Sequence, residues 1–162
     1  MALMQVHFDS KVVAQKMMMN VIIPGRPSPY PDGKWPALYL LHGLSSDHSS
    51  WERRTSIERY AEEKNLVVIM PSVHRSFYTN MKHGLPYWTS ISEVVPALCE
   101  QWFPISAKRE DRFAAGLSMG GYGAFKLGLL KPERYAAVAS LSGAVDMAQV
   151  AGGEYSPSEE LF

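Results

Sequence analysis

The stretch Phe113-Ala-Ala-Gly-Leu-Ser-Met-Gly-Gly-Tyr-Gly123 limits the available folds more than any other. A short apolar run meets a Gly-x-Ser-x-Gly pentad and opens into a helical pattern, which predicts a strand, a sharp turn and a helix with Ser118 at the tip of the turn. Gly116 and Gly120 flank a bend too tight for a Cβ at either place. Small residues at Gly120, Gly123, Ala124 and Gly128 let the helix lie close to a sheet, and Lys131-Pro132 ends it. The predicted helix, Met119 to Leu130, points its positive N-terminal end at Ser118, where an anionic intermediate would form.

The other segments repeat this alternation. Ala37 to Leu41, Leu66 to Met70 and Ala136 to Leu141 are short apolar runs of the kind buried on both faces of a parallel sheet. A helix is expected from Thr55, its N-cap, to Lys64, and another from Ser90 to Phe103, with Ser90 and Glu93 as a capping box and a kink at Pro96. Val6 to Phe8 and Lys16 to Ile23 suggest an early hairpin, and Met17, Met18 and Met19 in its second strand read as core filling. Pro24 to Pro36 is a loop. Ser72 to Thr89 is a long irregular stretch whose aromatics suit an ordered loop lining a site. Cys99 reads as a small buried hydrophobe, and Lys108 to Arg112 as a solvated turn. The expected fold class is α/β, resembling an α/β-hydrolase: one domain over residues 1–162, a mostly parallel sheet with helices on both faces, and active loops at the carboxyl ends of the strands.

Composition narrows the partners. Sixteen basic residues balance sixteen acidic ones, so no electrostatic footprint for nucleic acid or an anionic membrane exists. No apolar run is long enough to span a bilayer, and the start lacks the apolar core of a secretion signal. A lone cysteine allows no internal disulfide, so a cytoplasmic setting is expected.

Acyl transfer by a serine needs a nucleophile, a base, and donors aimed at the oxyanion. Ser118 is the candidate nucleophile. The Met119 N–H, next after it, and the Leu44 N–H, in the loop that follows the strand Ala37 to Leu41, are the candidate oxyanion donors. Gly43 is expected to let that backbone bend toward the substrate, and His42 to hold the loop by hydrogen bonding rather than act as the base.

Several segments in order carry a closer resemblance: Leu40-Leu41-His42-Gly43, Ser50-Trp51, Arg53-Arg54-Thr55, Ser76-Phe77-Tyr78-Thr79, Gly84-Leu85-Pro86-Tyr87-Trp88, the elbow itself, and Ser140-Leu141-Ser142-Gly143-Ala144. Together they resemble the tributyrin esterase group of the esterase D family, within the α/β-hydrolase fold. The resemblance implies hydrolysis of small-molecule short-chain acyl esters by a Ser-His-Asp triad, with no cofactor or metal. The triad order in this fold is serine, acid, histidine, yet His7, His42, His48, His74 and His83 all precede Ser118. The family's acid and histidine fall on later loops, and Asp146 stands too early for that acid. The chain is therefore expected to end before the last strands, with residues 152–162 beginning a loop or cap region, and to associate with itself through the edge strand Ala136 to Leu141. Two rival readings share the same elbow: an acyltransferase, and a domain whose serine turn survives only as packing.

Overall fold

The computed structural model describes residues 1–148. β1 (Ala2–Ser10) and β2 (Gln15–Ile23) form an antiparallel hairpin in continuous register, Ala2 opposite Ile23 and Ser10 opposite Gln15. β2 then pairs antiparallel with β4 (Val67–Pro71). From there the sheet is parallel: β4 beside β3 (Ala37–Leu41), β3 beside β5 (Arg112–Leu117), and β5 beside β6 (Ala137–Leu141). Among the described residues the strand order is β1-β2-β4-β3-β5-β6, the mostly parallel sheet of an α/β-hydrolase.

Period-two alternation in the buried strands sends side chains into two cores. Tyr39 and Leu41 of β3 enter the larger core with Met17, Met19, Ile69, Val95, Cys99 and Leu127, whereas Leu40 enters the smaller one with Ile22, Val68, Met70, Ile57 and Ala61. The smaller core is closed by α2 (Ile57–Lys64), whose buried residues are Ile57 and Ala61 and whose end at Asn65 takes the left-handed conformation. The larger is closed by α4 (Val95–Trp102) and α5 (Met119–Leu130). Helices therefore cover both faces. Met17 and Met19 fill core as expected, and burial pushes the Cys99 thiol up to about 12.

One short helix was not expected, and several local expectations are corrected. A short helix, α1 (Ser50–Arg54), precedes α2, held by Trp51 Nε1–H donating to the Leu41 carbonyl at 3.1 Å. The helix expected from Ser90 already begins as α3 (Tyr87–Thr89) and passes through a wide π turn, Ser90–Val94, before α4. Ser90 is thus interior to a helical run and makes no capping box, and Glu93 pairs instead with Lys131 and Arg134. Pro96 stands inside the same run, directly after the π turn, so the regular α-helical ladder is interrupted where the kink was expected. The charged turn before β5 is solvated only at Lys108, Arg109 and Glu110; its last two residues are buried, where Asp111 accepts from Tyr30 Oη and Ser106 Oγ, each at 2.6 Å, and Arg112 pairs with Glu100. The tail expectation for residues 152–162 lies outside the described residues.

β6 is a sheet edge, with no partner on its outer side among the described residues. Its residues alternate between exposed and half-buried, and Leu141, Phe125, Leu129 and Leu130 beside it expose apolar surface. An unpaired edge of this kind is a template for pairing. The 162-residue chain taken by itself should therefore self-associate. Sedimentation velocity checks this: a concentration-dependent species heavier than the monomer is expected, and a monodisperse monomer would contradict it.

Candidate active site

Ser118 occupies the turn between β5 and α5 with φ 56° and ψ −117°, a left-handed-side conformation that a non-glycine residue holds only when its surroundings impose it. Those surroundings are backbone. A Cβ on Gly116 would sit 2.2 Å from the Gly120 carbonyl oxygen, and one on Gly120 would sit 2.3 Å from the Leu41 oxygen and 2.7 Å from that of His42. The first turn of α5 thus rests directly on the end of β3, which leaves Ser118 exposed at the carboxyl edge of the sheet. Its N–H donates to the Leu141 carbonyl at 2.9 Å, and its carbonyl accepts from Tyr122 and Ala144. The backbone is tied on both sides, while the hydroxyl makes no hydrogen bond among the described residues.

The loop leaving β3 lies against this turn: a Cβ on Gly43 would stand 3.7 Å from Ser118 Cβ and 3.5 Å from the Leu117 oxygen. These are ordinary contacts, and φ at Gly43 is not positive. A Cβ would thus be tolerated at Gly43, and no left-handed conformation there demands the glycine that was expected to let the backbone bend. His42 sets the loop's orientation. The Val73 N–H donates to His42 Nε2 at 3.0 Å, so Nδ1 carries the proton and donates to the Gly43 carbonyl at 2.8 Å. In a planar trans peptide C=O and N–H point opposite ways, so gripping the Gly43 oxygen also fixes the direction of the Leu44 N–H. Neither the Leu44 N–H nor the Met119 N–H has an acceptor among the described residues.

Tyr78 secures the same loop from the other side. Its hydroxyl donates to the His42 carbonyl at 2.9 Å, its ring lies against Gly123 of α5, and its own carbonyl accepts from Lys126 Nζ at 3.1 Å. Lys126 lies over the Trp88 ring, 4.8 Å from its centroid, and burial holds its pKa below the ordinary value. The irregular stretch after β4 is thus ordered as expected, with His74, Phe77 and Tyr78 all at positive φ. Sequence reasoning missed the roles of Tyr78 and Lys126. The signal was available for the second, the sole charged residue in an otherwise apolar and glycine-rich helix.

Both His42 nitrogens are committed, so this ring cannot also take the Ser118 proton. Burial lowers its pKa below 6.5. A histidine kept neutral in the fold contributes stability that is complete above pH 6.5 and is lost as pH falls through that value toward the folded-state pKa. Denaturant midpoints measured from pH 7.5 to 5 should therefore decline with pH, and His42→Gln should flatten the decline. Tyr78→Phe should cost about 1–3 kcal/mol, because it leaves the buried His42 carbonyl unsatisfied.

None of His7, His48, His74 and His83 hydrogen-bonds Ser118 among the described residues, and Asp146 is exposed just after β6. No group of three or more His, Cys, Asp or Glu among the described residues is placed to hold a metal ion. No described helix is long and apolar enough to cross a membrane.

The chain is similar to solved structures of the fluorophosphonate-binding serine hydrolase FphF of Staphylococcus aureus, at 39% identity and a TM-score of 0.88 over 96% of this chain and 62% of that one. It is similar also to S-formylglutathione hydrolase (FrmB) of the same organism, at 39% identity and a TM-score of 0.82, over 95% of this chain and 62% of that one. An acetyl esterase of Caldicellulosiruptor saccharolyticus is 32% identical, over 94% of this chain and 60% of that protein. The chain thus spans about three fifths of the length of these relatives. The model of the Esterase family matches residues 10–160, from the end of β1 past the elbow and β6, and the chain accordingly belongs to that family of carboxylic ester hydrolases with the α/β-hydrolase fold.

Proposed function

We propose that Ser118 is the nucleophile of a serine carboxylesterase acting on short-chain acyl esters, with the Leu44 and Met119 N–H groups as its oxyanion hole. The observation that carries this is the pairing of a strained, exposed serine at a helix N-terminus with a rigidly held loop whose Gly43 lies against it. Ser118 Oγ bonds to the ester carbonyl carbon while its proton passes to a base. Collapse of the tetrahedral intermediate breaks the bond to the leaving alkoxide or thiolate, which takes up the proton. Water then cleaves the acyl-enzyme, releasing the acid and restoring the hydroxyl. Each N–H aimed at the oxyanion contributes about 10²–10³ in kcat. A small acyl group suits the relatives, whose names carry acetyl and S-formyl groups, and fits the tributyrin esterase resemblance.

The triad acid and histidine belong, on this reading, to the length by which the relatives exceed the chain. Without a histidine at Ser118 both steps lose their base, but p-nitrophenolate leaves without needing a proton, so slow acylation by that activated ester outruns deacylation by water and the acyl-enzyme accumulates. The 162-residue chain exposed to p-nitrophenyl acetate should therefore carry an acetyl group on the peptide containing Ser118, and Ser118→Ala should carry none there. Mass mapping of the digest reads this directly; acetylation unchanged by the substitution would overturn the assignment.

A further inference from the structure

Beside Leu117, the residue before Ser118, lies a small hollow of about 100 Å³ whose walls also include Gly43, Trp51 and Arg54. Ser46, Ser50 and Arg54 also form walls of an adjoining groove of about 310 Å³, lined in addition by Ser45, Ser49 and Arg53, with Asp47. The groove is polar and its position is fixed. Trp51 is pinned to the Leu41 carbonyl, at the end of the strand that delivers the 42–44 loop, and Glu52 accepts from Asn20 Nδ2 at 2.8 Å. α1 is therefore held at two successive residues. The next two residues, Arg53 and Arg54, are exposed, and their guanidinium groups enter no hydrogen bond or ion pair among the described residues.

Asp47, the groove's carboxylate, is turned into its own loop, where Oδ1 accepts from the Ser49 N–H at 2.9 Å and from Ser49 Oγ at 2.7 Å. It does not neutralise either guanidinium by contact. Two free guanidinium groups beside serine hydroxyls form a donor-rich surface suited to the planar, multiple-bond recognition of an oxyanion. The groove is thus anchored to the end of β3 and adjoins the hollow beside Gly43 and Leu117.

We propose that this groove binds an oxyanion, a carboxylate or phosphate carried by the substrate, and so selects esters or thioesters whose far end is negatively charged. The ligand's part in catalysis rests on the esterase reading, whereas its binding to the groove does not. Binding is therefore tested by itself, without turnover. Glutarate and, separately, inorganic phosphate are titrated into ¹⁵N-labelled protein at constant ionic strength, and the side-chain Nε–H signals of Arg53 and Arg54 are followed. Glutaramide, of the same length without charge, is the control. Saturable shifts of both signals are expected with at least one anion and none with glutaramide, and Arg53→Gln and Arg54→Gln should each weaken binding about tenfold. Response to glutarate alone assigns a carboxylate, response to phosphate alone a phosphate, and response to both an unselective oxyanion site. Binding should persist in Ser118→Ala, so a failed esterase assignment leaves this result intact. Absence of saturation with either anion, or binding unchanged by both arginine substitutions, would overturn the proposal.

Discussion

Ser118→Ala, in a form of the protein extended to the length of its relatives, should lower kcat for short-chain esters by about 10⁶-fold, the cost of deleting the nucleophile from a complete serine triad. The effect is large because serine, histidine and acid act as a unit: removing one member loses nearly all that the group contributes. The same reasoning makes the 162-residue chain a slow esterase. In it the Ser118 hydroxyl has no hydrogen-bond partner among the described residues, and both nitrogens of His42, in the neighbouring loop, are occupied elsewhere. What remains is binding and the oxyanion donors, worth about 10³–10⁴ over water in a comparable enzyme. Rates with p-nitrophenyl acetate measure both quantities. Near-wild-type turnover by the extended Ser118→Ala protein would remove Ser118 from the mechanism, and fast turnover by the 162-residue chain would require a base among its own histidines.

Gly120→Ala should destabilise the protein by about 3 kcal/mol or more, the upper range for forcing extra volume into a packed interior. The added Cβ would lie 2.3 Å from the Leu41 carbonyl oxygen and 2.7 Å from that of His42. Both atoms are main chain at the end of β3, so relief requires α5 to lift from the sheet. That movement would carry Met119 away from the 42–44 loop, and activity should fall with stability. Gly43→Ala provides the contrast, since its Cβ would meet only contacts of 3.5 and 3.7 Å. Urea denaturation of the two variants should separate them clearly; equal midpoints would contradict the packing described for the elbow.

The elbow was legible because its information is local: glycine spacing around Ser118 requires a tight turn, and the apolar runs at β3, β4 and β6 leave few other roles for those residues. What escaped depended on distant partners. α1 has five residues, too few for a periodic pattern, and it is held by Trp51 reaching Leu41. Ser90 and Glu93 have the spacing of a capping box, but Tyr87 and Trp88 are already helical, so no free N-terminus exists there for Ser90 to cap. Asp111 and Arg112 resemble a solvated turn until Tyr30, Ser106 and Glu100 arrive from elsewhere in the chain and satisfy them in the interior. For the site, the placement of Leu44 and Met119 followed from the strand-loop and strand-helix order, whereas the grip of His42 on Gly43 and of Tyr78 on His42 is tertiary.

The central claim is that Ser118 is the nucleophile and that it stands where a tetrahedral adduct can form. It is tested most directly by incubating the chain with a fluorophosphonate and mapping the adduct by peptide mass spectrometry. Phosphorus then takes the place of the carbonyl carbon, and its oxygen occupies the position assigned to the oxyanion. The expected result is a single adduct on Ser118, formed slowly for want of a base and absent in Ser118→Ala. No adduct after prolonged exposure, or an adduct on another residue that persists in Ser118→Ala, would contradict it.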